Sequence, residues 1–331
     1  METIGKYRVI QELQSGDRPL YLARGDGDAL VALKTVRTDG LPEERRERFL
    51  REAAVCRDLN HPNLVPVHDS GEASGVLYQA MEFLEGMDLG RAFADGRAFT
   101  WEEKISIMEQ VAAGLSFAHG RGLVHRDIKP SNLFLETNGR VRILDFGMAR
   151  IDSSNLTKSG AMVGTLNYMA PEQLRAETST PLSDVFAAGI VFYQLACGRH
   201  PFSSGRATLP EVMSAILFHK PDPLDERAIG APDGVSLVIG RALEKDPARR
   251  WRSADELRHA AGLCRFTLRM GPGSGRTVFA FAQQPAGQPE SAAAPAPVEE
   301  GGGTNTWMAP VLIGSGLLAV LLLAYFVMMR G

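Results

Sequence analysis

Between the apolar residues Leu123-Val124 and Leu133-Phe134-Leu135 lie eight residues, His125-Arg126-Asp127-Ile128-Lys129-Pro130-Ser131-Asn132, most of them polar or charged. A polar cluster bracketed by short apolar stretches is a loop gripped by a core, the setting in which a scaffold fixes reactive side chains. Eighteen residues after Asp127 comes a second such place, Asp145-Phe146-Gly147, behind the strand-like Val141-Arg142-Ile143-Leu144. Asp145 and Asn132 together offer hard oxygen ligands to a divalent cation such as Mg2+, which takes few protein ligands and keeps phosphate and water oxygens as the others. Upstream, Val31-Ala32-Leu33-Lys34 puts a lysine on a strand and Glu52 follows on a helix. A Lys34–Glu52 pair would aim a cation at phosphate oxygens.

The hydrophobic period changes along the chain. Tyr7 to Leu13, Leu20 to Arg24, Leu30 to Val36 and Gly75 to Met81 predict strands, and Pro42 to Leu59 predicts a helix with Phe49, Ala53, Cys56 and Leu59 on one face. From about residue 100 the pattern is mostly helical: Trp101 to His119, Leu182 to Cys197, Pro210 to Phe218, Val235 to Leu243 and Ala254 to Leu263. This describes a small β-rich lobe and a larger α-rich lobe, hinged near Met81 to Gly86, with a cleft suited to a ligand between them. A composition of 23% charged and 44% hydrophobic residues excludes disorder throughout, collagen and a disulfide scaffold. With 36 Lys plus Arg against 39 Asp plus Glu there is no positive excess to attract a polyanion, so nucleic acid is not an expected partner. Cys56, Cys197 and Cys264 have no metal-ligand spacing and read as reduced thiols.

The last part of the chain differs again. Gln283 to Thr306 carries four prolines and a triple glycine with almost no large apolar side chains, and reads as a solvated, disordered tether. Trp307 to Met329 is a run of 23 residues without a charge. As a helix it is roughly 34 Å long, enough to cross a hydrocarbon core of about 30 Å. A single-pass membrane helix over 307–329 is therefore expected, and the start METIGKYRVI shows no cleaved export signal.

The ordered set VALK (31–34), Glu52, HRDIKPSN (125–132), DFG (145–147), GTLNYMAPE (164–172), Asp184 in SDVFAAG and KDPARRW (245–251) resembles a protein kinase of the eukaryotic type. With a tether and a final span behind it, the chain is similar to the membrane-bound serine/threonine kinases of bacteria. The resemblance covers about residues 7 to 265 and implies an α+β, bilobal protein-kinase fold, with an N-lobe over about 7–82 and a C-lobe over about 87–265. Phe266 to Phe281 lies beyond it with no assigned role, and 266–282 is left as an extension.

Carried over residue by residue, the resemblance implies that Lys34 holds the α- and β-phosphates of ATP and Glu52 orients Lys34. Asp127 steers the proton of the substrate hydroxyl, while Asn132 and Asp145 hold Mg2+, with Mn2+ as an alternative. Lys129 matches the serine/threonine-specific form of the loop and neutralises the γ-phosphate; Thr165 braces Asp127 and Lys129. The acceptor is then a Ser or Thr hydroxyl of a protein substrate. For adenine it implies Leu13 and Leu20 above, Ala32 and Phe134 flanking, Met81 as gatekeeper and the hinge backbone from Glu82 to Leu84. Glu172 is expected to pair with Arg250 in the interior, and Asp184 to hold the catalytic loop through backbone amides. His125 and Phe146 are expected to pack; His68, His119, His200 and His219 show no partner pattern.

The chain departs from the family at one place. Where three glycines normally let backbone amides approach phosphates, it reads Leu13-Gln14-Ser15-Gly16-Asp17-Arg18-Pro19-Leu20. Only Gly16 remains, Asp17 adds a negative charge and Pro19 removes an amide donor. Two readings follow: an active kinase with a weaker grip on ATP, or a pseudokinase-like, membrane-tethered adaptor. For control, the resemblance implies phosphate on Thr157 and Ser159 pairing with Arg126. Because ATP is cytosolic, residues 1 to 282 are expected on the cytoplasmic face of the cell membrane. Only Arg330 and Gly331 follow the span, which leaves a homodimer or a partner subunit, and not an outside ligand, as the activating agent.

Overall fold

The computed structural model describes residues 3–16, 18–146, 166–203, 208–271, 273, 274 and 279. The smaller lobe is a six-stranded antiparallel sheet of β1 (Thr3–Ile4), β2 (Tyr7–Gln14), β3 (Leu20–Arg24), β4 (Leu30–Arg37), β5 (Val67–Ala73) and β6 (Val76–Glu82), in the order β1-β2-β3-β4-β6-β5. Side chains alternate across a strand, and β4 shows what that does. Val31 and Leu33 are buried with Ala23, Ala80 and Tyr7, whereas Ala32 and Lys34 face the other way. In register, Ala32 pairs with Met81, and Lys34 lies between Leu20 on one neighbour and Gln79 on the other. Helix α1 (Glu43–Arg57) packs Phe49 and Ala53 on Val36 and Leu77. The strand β5 is absent from the sequence expectation because VHDSGEA is polar, as suits an edge strand with a neighbour on one side only.

Two connections reach the larger lobe. The first is the ribbon after β6, where β7 (Gly86–Asp88) pairs with β8 (Leu133–Glu136), itself paired with β9 (Val141–Ile143). Gly86 has φ +151°, and a Cβ there would lie 2.2 Å from the Leu135 carbonyl oxygen, so only glycine fits. The second connection is Asn63–Val65, which runs alongside β9. The Val65 N–H donates to Ile143 O at 3.1 Å, the Ile143 N–H to Asn63 O at 2.9 Å, and Arg142 Nη1 to Leu64 O at 3.1 Å.

The larger lobe is helical: α2 (Leu89–Ala94), α3 (Trp101–His119), α4 (Pro171–Leu174), α5 (Pro181–Cys197), α6 (Leu209–Phe218), α7 (Val235–Ala242) and α8 (Ala254–Met270). Helix α3 starts where Thr100 and Glu103 satisfy each other's backbone N–H groups, and buries Ile105, Met108, Val111, Ala112, Leu115 and Ala118 at helical spacing. Helix α5 is buried along most of its length and stops at Gly198, φ +74°. Helix α8 runs seven residues past the predicted end at Leu263, because Cys264 and Thr267 continue its buried face; Thr267 Oγ1 donates to Asp233 O at 2.8 Å. Phe279 is buried in the same core, so part of the stretch after 265 packs on the lobe. All three cysteines are free thiols. The tether 283–306 and the apolar run 307–329 lie outside the described residues, among which no helix is long and apolar enough to cross a membrane.

Candidate active site

Asp184, on the first turn of α5 and fully buried, is the anchor of the loop that carries Asp127. Its carboxylate accepts from the His125 N–H at 2.8 Å, from the Arg126 N–H at 2.7 Å and from His119 Nε2 at 2.8 Å. Arg126 adopts φ +69°, a conformation costing of order 1 kcal/mol in a non-glycine residue unless its surroundings enforce it. They do so from both sides, because Gln173 Nε2 donates to the Arg126 carbonyl at 3.0 Å. His119 is therefore a supporting residue, contrary to the sequence expectation, and its partner lies 65 residues away.

The loop is next stitched to the second polar cluster. His125 Nε2 donates to Leu144 O at 2.7 Å while its Nδ1 accepts from the Asp127 N–H at 3.2 Å, which uses both nitrogens of a neutral ring. Asn132 donates through Nδ2 to the Asp127 carbonyl at 2.7 Å and to its carboxylate at 3.1 Å, and the Leu144 N–H donates to Asn132 O at 2.9 Å. Lys129 Nζ stands 2.9 Å from Asp127 Oδ2. Asp127, Lys129 and Asn132 thus form one cluster, with Asp145 the next residue after Leu144.

Lys34 reaches this cluster from the other lobe, its Nζ 2.5 Å from Asp145 Oδ2. Burial pushes the Asp145 carboxyl up, but the Lys34 ammonium beside it, by charge and by hydrogen bond, outweighs that and holds it below the usual carboxylate range. Here the structure departs from the sequence expectation. Lys34 pairs with Asp145, and no Lys34–Glu52 ion pair occurs among the described residues. The Lys34 ammonium is taken by the Asp145 carboxylate, while Glu52, on α1, has an interaction of its own. One turn after Glu52, Cys56 Sγ donates to the Phe146 carbonyl at 3.4 Å; burial, reinforced by Glu52, pushes this thiol up to about 12, so it stays protonated as a donor.

Above the cluster, Met81 is buried, and Leu20, Ala32 and Leu84 are partly buried against the main core. Phe134 on β8 is half-buried, and Leu13 at the sheet's rim is exposed. The Glu82 N–H is taken by Pro66 O at 3.0 Å, which leaves its carbonyl as the atom it offers at the hinge. Gly16 has φ +123° in open space. Gly147, Thr157, Ser159 and Thr165 lie outside the described residues.

Farther down, Arg250 is fully buried, and every one of its five N–H groups has an acceptor. Nη1 and Nη2 hold Glu172 at 2.7 and 2.8 Å, and the rest reach the carbonyls of Leu182, Glu244 and Lys245 at 2.8, 2.8 and 3.1 Å. Burial pushes Glu172 up, but Arg250, assisted by Ser183, more than reverses this.

The donor set suits a hard cation. Asn132 uses its Nδ2 on Asp127, so its carbonyl Oδ1 is the atom it presents, and Asp145 is a carboxylate held ionised. Among the described residues no group of three or more His, Cys, Asp or Glu could hold a metal alone, so a cation here would share its shell with phosphate oxygens.

A β-sheet lobe and a helical lobe that meet over a lysine, two aspartates and an asparagine define a phosphotransferase cleft of the protein-kinase class. Residues 20–260 match the protein kinase domain, and the chain belongs to this family. It is similar to the serine/threonine-protein kinase PrkC of Bacillus subtilis, with 33% identity over 257 residues, which cover 76% of this chain and 39% of that relative. It is similar too to PknJ of Mycobacterium tuberculosis, at 35% over 263 residues (77% and 44%), and to pkn3 of Myxococcus xanthus, at 38% over 241 (69% and 44%), both serine/threonine-protein kinases. The chain spans about two fifths of the length of these relatives.

Proposed function

We propose that the protein is a serine/threonine protein kinase that moves the γ-phosphoryl group of ATP to Ser or Thr hydroxyls of proteins. The observation that carries this reading is the convergence of Lys129 and Asn132 on Asp127, with the Lys34–Asp145 pair alongside. In the reaction the bond from the γ-phosphorus to ADP breaks as the hydroxyl oxygen bonds to phosphorus. The hydroxyl proton passes to Asp127, whose carboxylate is oriented by Asn132 and flanked by Lys129. Lys129 then lies where charge gathers on the transferred group, and Lys34 exchanges Asp145 for phosphate oxygens. Asp145 and Asn132 would hold Mg2+ or Mn2+, which supplies charge neutralisation between the phosphates.

The same reading places the kinase domain at the cytoplasmic face of the cell membrane, tethered by 283–306 and anchored by 307–329; what supports this is the 23-residue run without a charge. It includes autophosphorylation on Thr157 and Ser159 and a homodimer as the activating assembly. Incubated with Mg2+ and γ-labelled ATP, the full chain incorporates label, and Asp127→Asn lowers incorporation by about 10^2- to 10^4-fold. No incorporation above that variant, alone and with candidate substrates, returns the chain to the adaptor reading.

A further inference from the structure

On the face of the sheet that carries Lys34, β4 and β6 pair residue for residue: Ala32 with Met81, Lys34 with Gln79 and Val36 with Leu77. Directly opposed residues of an antiparallel pair share a face, with Cβ atoms about 4.5–5.5 Å apart. The outer two pairs are apolar and pack against the core. The middle one sets an amide against the lysine. Gln79 is 2% exposed, and its Oε1 accepts no hydrogen bond from any described residue. A buried amide without a partner costs more than an apolar side chain of the same shape, so such a group calls for an explanation.

The surroundings supply one. Gln79 lines a small cavity together with Cys56, Leu64, Met81, Asp145 and Phe146, whereas Glu52 does not. Lys34 Nζ stands 2.5 Å from Asp145 Oδ2, so the ammonium lies at the wall of the cavity that the Gln79 amide lines. An ammonium has three donors, and Asp145 takes one of them. Cys56 spends its thiol on the Phe146 carbonyl. Apart from the oxygens of Asp145, the only side-chain oxygen in the wall among the described residues is Gln79 Oε1.

We infer that Gln79 is a positioning residue for Lys34: its carboxamide oxygen receives one ammonium N–H when Asp145 turns to a cation, so that Lys34 keeps a fixed seat while its remaining donors go to the phosphates of ATP. The inference rests on the proposed use of ATP and deepens it. A neutral oxygen suits the task, because a second carboxylate beside Asp145 would compete with the phosphates for the ammonium. A lysine side chain is rich in rotamers, and a seat for one N–H removes freedom that phosphate binding would otherwise have to freeze.

The test measures equilibrium binding of ATP and adenosine, each with Mg2+, to the full chain and to Gln79→Met, Lys34→Met and the double variant. Gln79→Met fills a similar space without an acceptor. It is expected to weaken ATP binding about 10-fold, to leave adenosine within about 2-fold, and to leave the urea denaturation midpoint unchanged or raised, because an unpartnered amide is gone from the interior. In the Lys34→Met background the same substitution is expected to weaken ATP by less than about 2-fold, since no ammonium is left to place. Adenosine binding also reports whether each variant is folded, and Gln79→Leu, a second apolar filling, is read in the same way. Unchanged ATP affinity in Gln79→Met, a parallel loss of ATP and adenosine, or an equal loss of ATP with and without Lys34 overturns the inference. Because the readout is binding, a chain that shows this coupling yet transfers no phosphate would sink the kinase reading and keep this one.

Discussion

Two ion pairs, Glu172–Arg250 and Lys34–Asp145, show how differently one chain uses the same chemistry. At the first, side chains are 6% and 0% exposed, and all five guanidinium N–H groups are occupied. At the second they are 16% and 15% exposed, and the lysine meets a single carboxylate oxygen across the cleft. A pair with every donor used can only be broken at a cost, so it fixes structure. A pair with donors and lone pairs to spare can trade partners when a ligand brings phosphate and metal.

The comparison can be broken most forcefully at Arg250. Arg250→Ala leaves Glu172 and three carbonyls without their donor in the interior, and is expected to lower stability by about 3–5 kcal/mol in urea denaturation. A loss under about 1 kcal/mol would mean that the pair is not structural.

His200 gives the next largest effect. Its Nε2 donates to Asn167 O at 3.0 Å and its Nδ1 accepts from the Phe202 N–H at 3.2 Å, a pattern that requires a neutral ring. Burial brings it down to about 4, against an ordinary value of 6.5. Between these values the unfolded chain binds a proton that the folded chain refuses, so stability is present above about pH 6.5 and is lost as pH falls toward 4. Up to about 3 kcal/mol is at stake. In His200→Gln, denaturation midpoints across that range should lose this component; an unaltered pH profile would refute it.

The smallest change in stability is expected at Asp145. Asp145→Asn should cost about 1.5 kcal/mol, the low end for one hydrogen bond to a charged group, while abolishing Mg2+-dependent phosphoryl transfer. Destabilisation equal to that of Arg250→Ala would erase the distinction between the two pairs.

Local pattern explains what was legible in the sequence. Helix α3 carries its apolar residues at helical spacing, and its bounds coincide with the expected ones. The strands β2, β3, β4 and β6 carry the alternation of a sheet with one face buried. Strand β5 does not, because an edge strand can be polar on both faces without loss. The site residues were legible only as types in an order. Which of them touch depends on contacts far apart in the chain: His119 to Asp184 spans 65 residues and Lys34 to Asp145 spans 111. His119 was missed because nothing near it in sequence marks its partner. Lys34 was assigned Glu52 because resemblance describes one arrangement of a pair that has two candidate carboxylates.

The strap at Asn63–Val65 has a mechanical consequence. Together with the ribbon at Gly86 it joins the lobes at two points, as two pins hold a door. A lobe pinned twice retains one easy rotation, about the line through both pins, and resists twist and sliding. Leu64 and Val65 lie close to that line and stay put, whereas the β2–β3 hairpin, at the opposite side of the sheet from β5, sweeps a wider arc. Whatever the swing brings down onto a nucleotide therefore arrives along a single track.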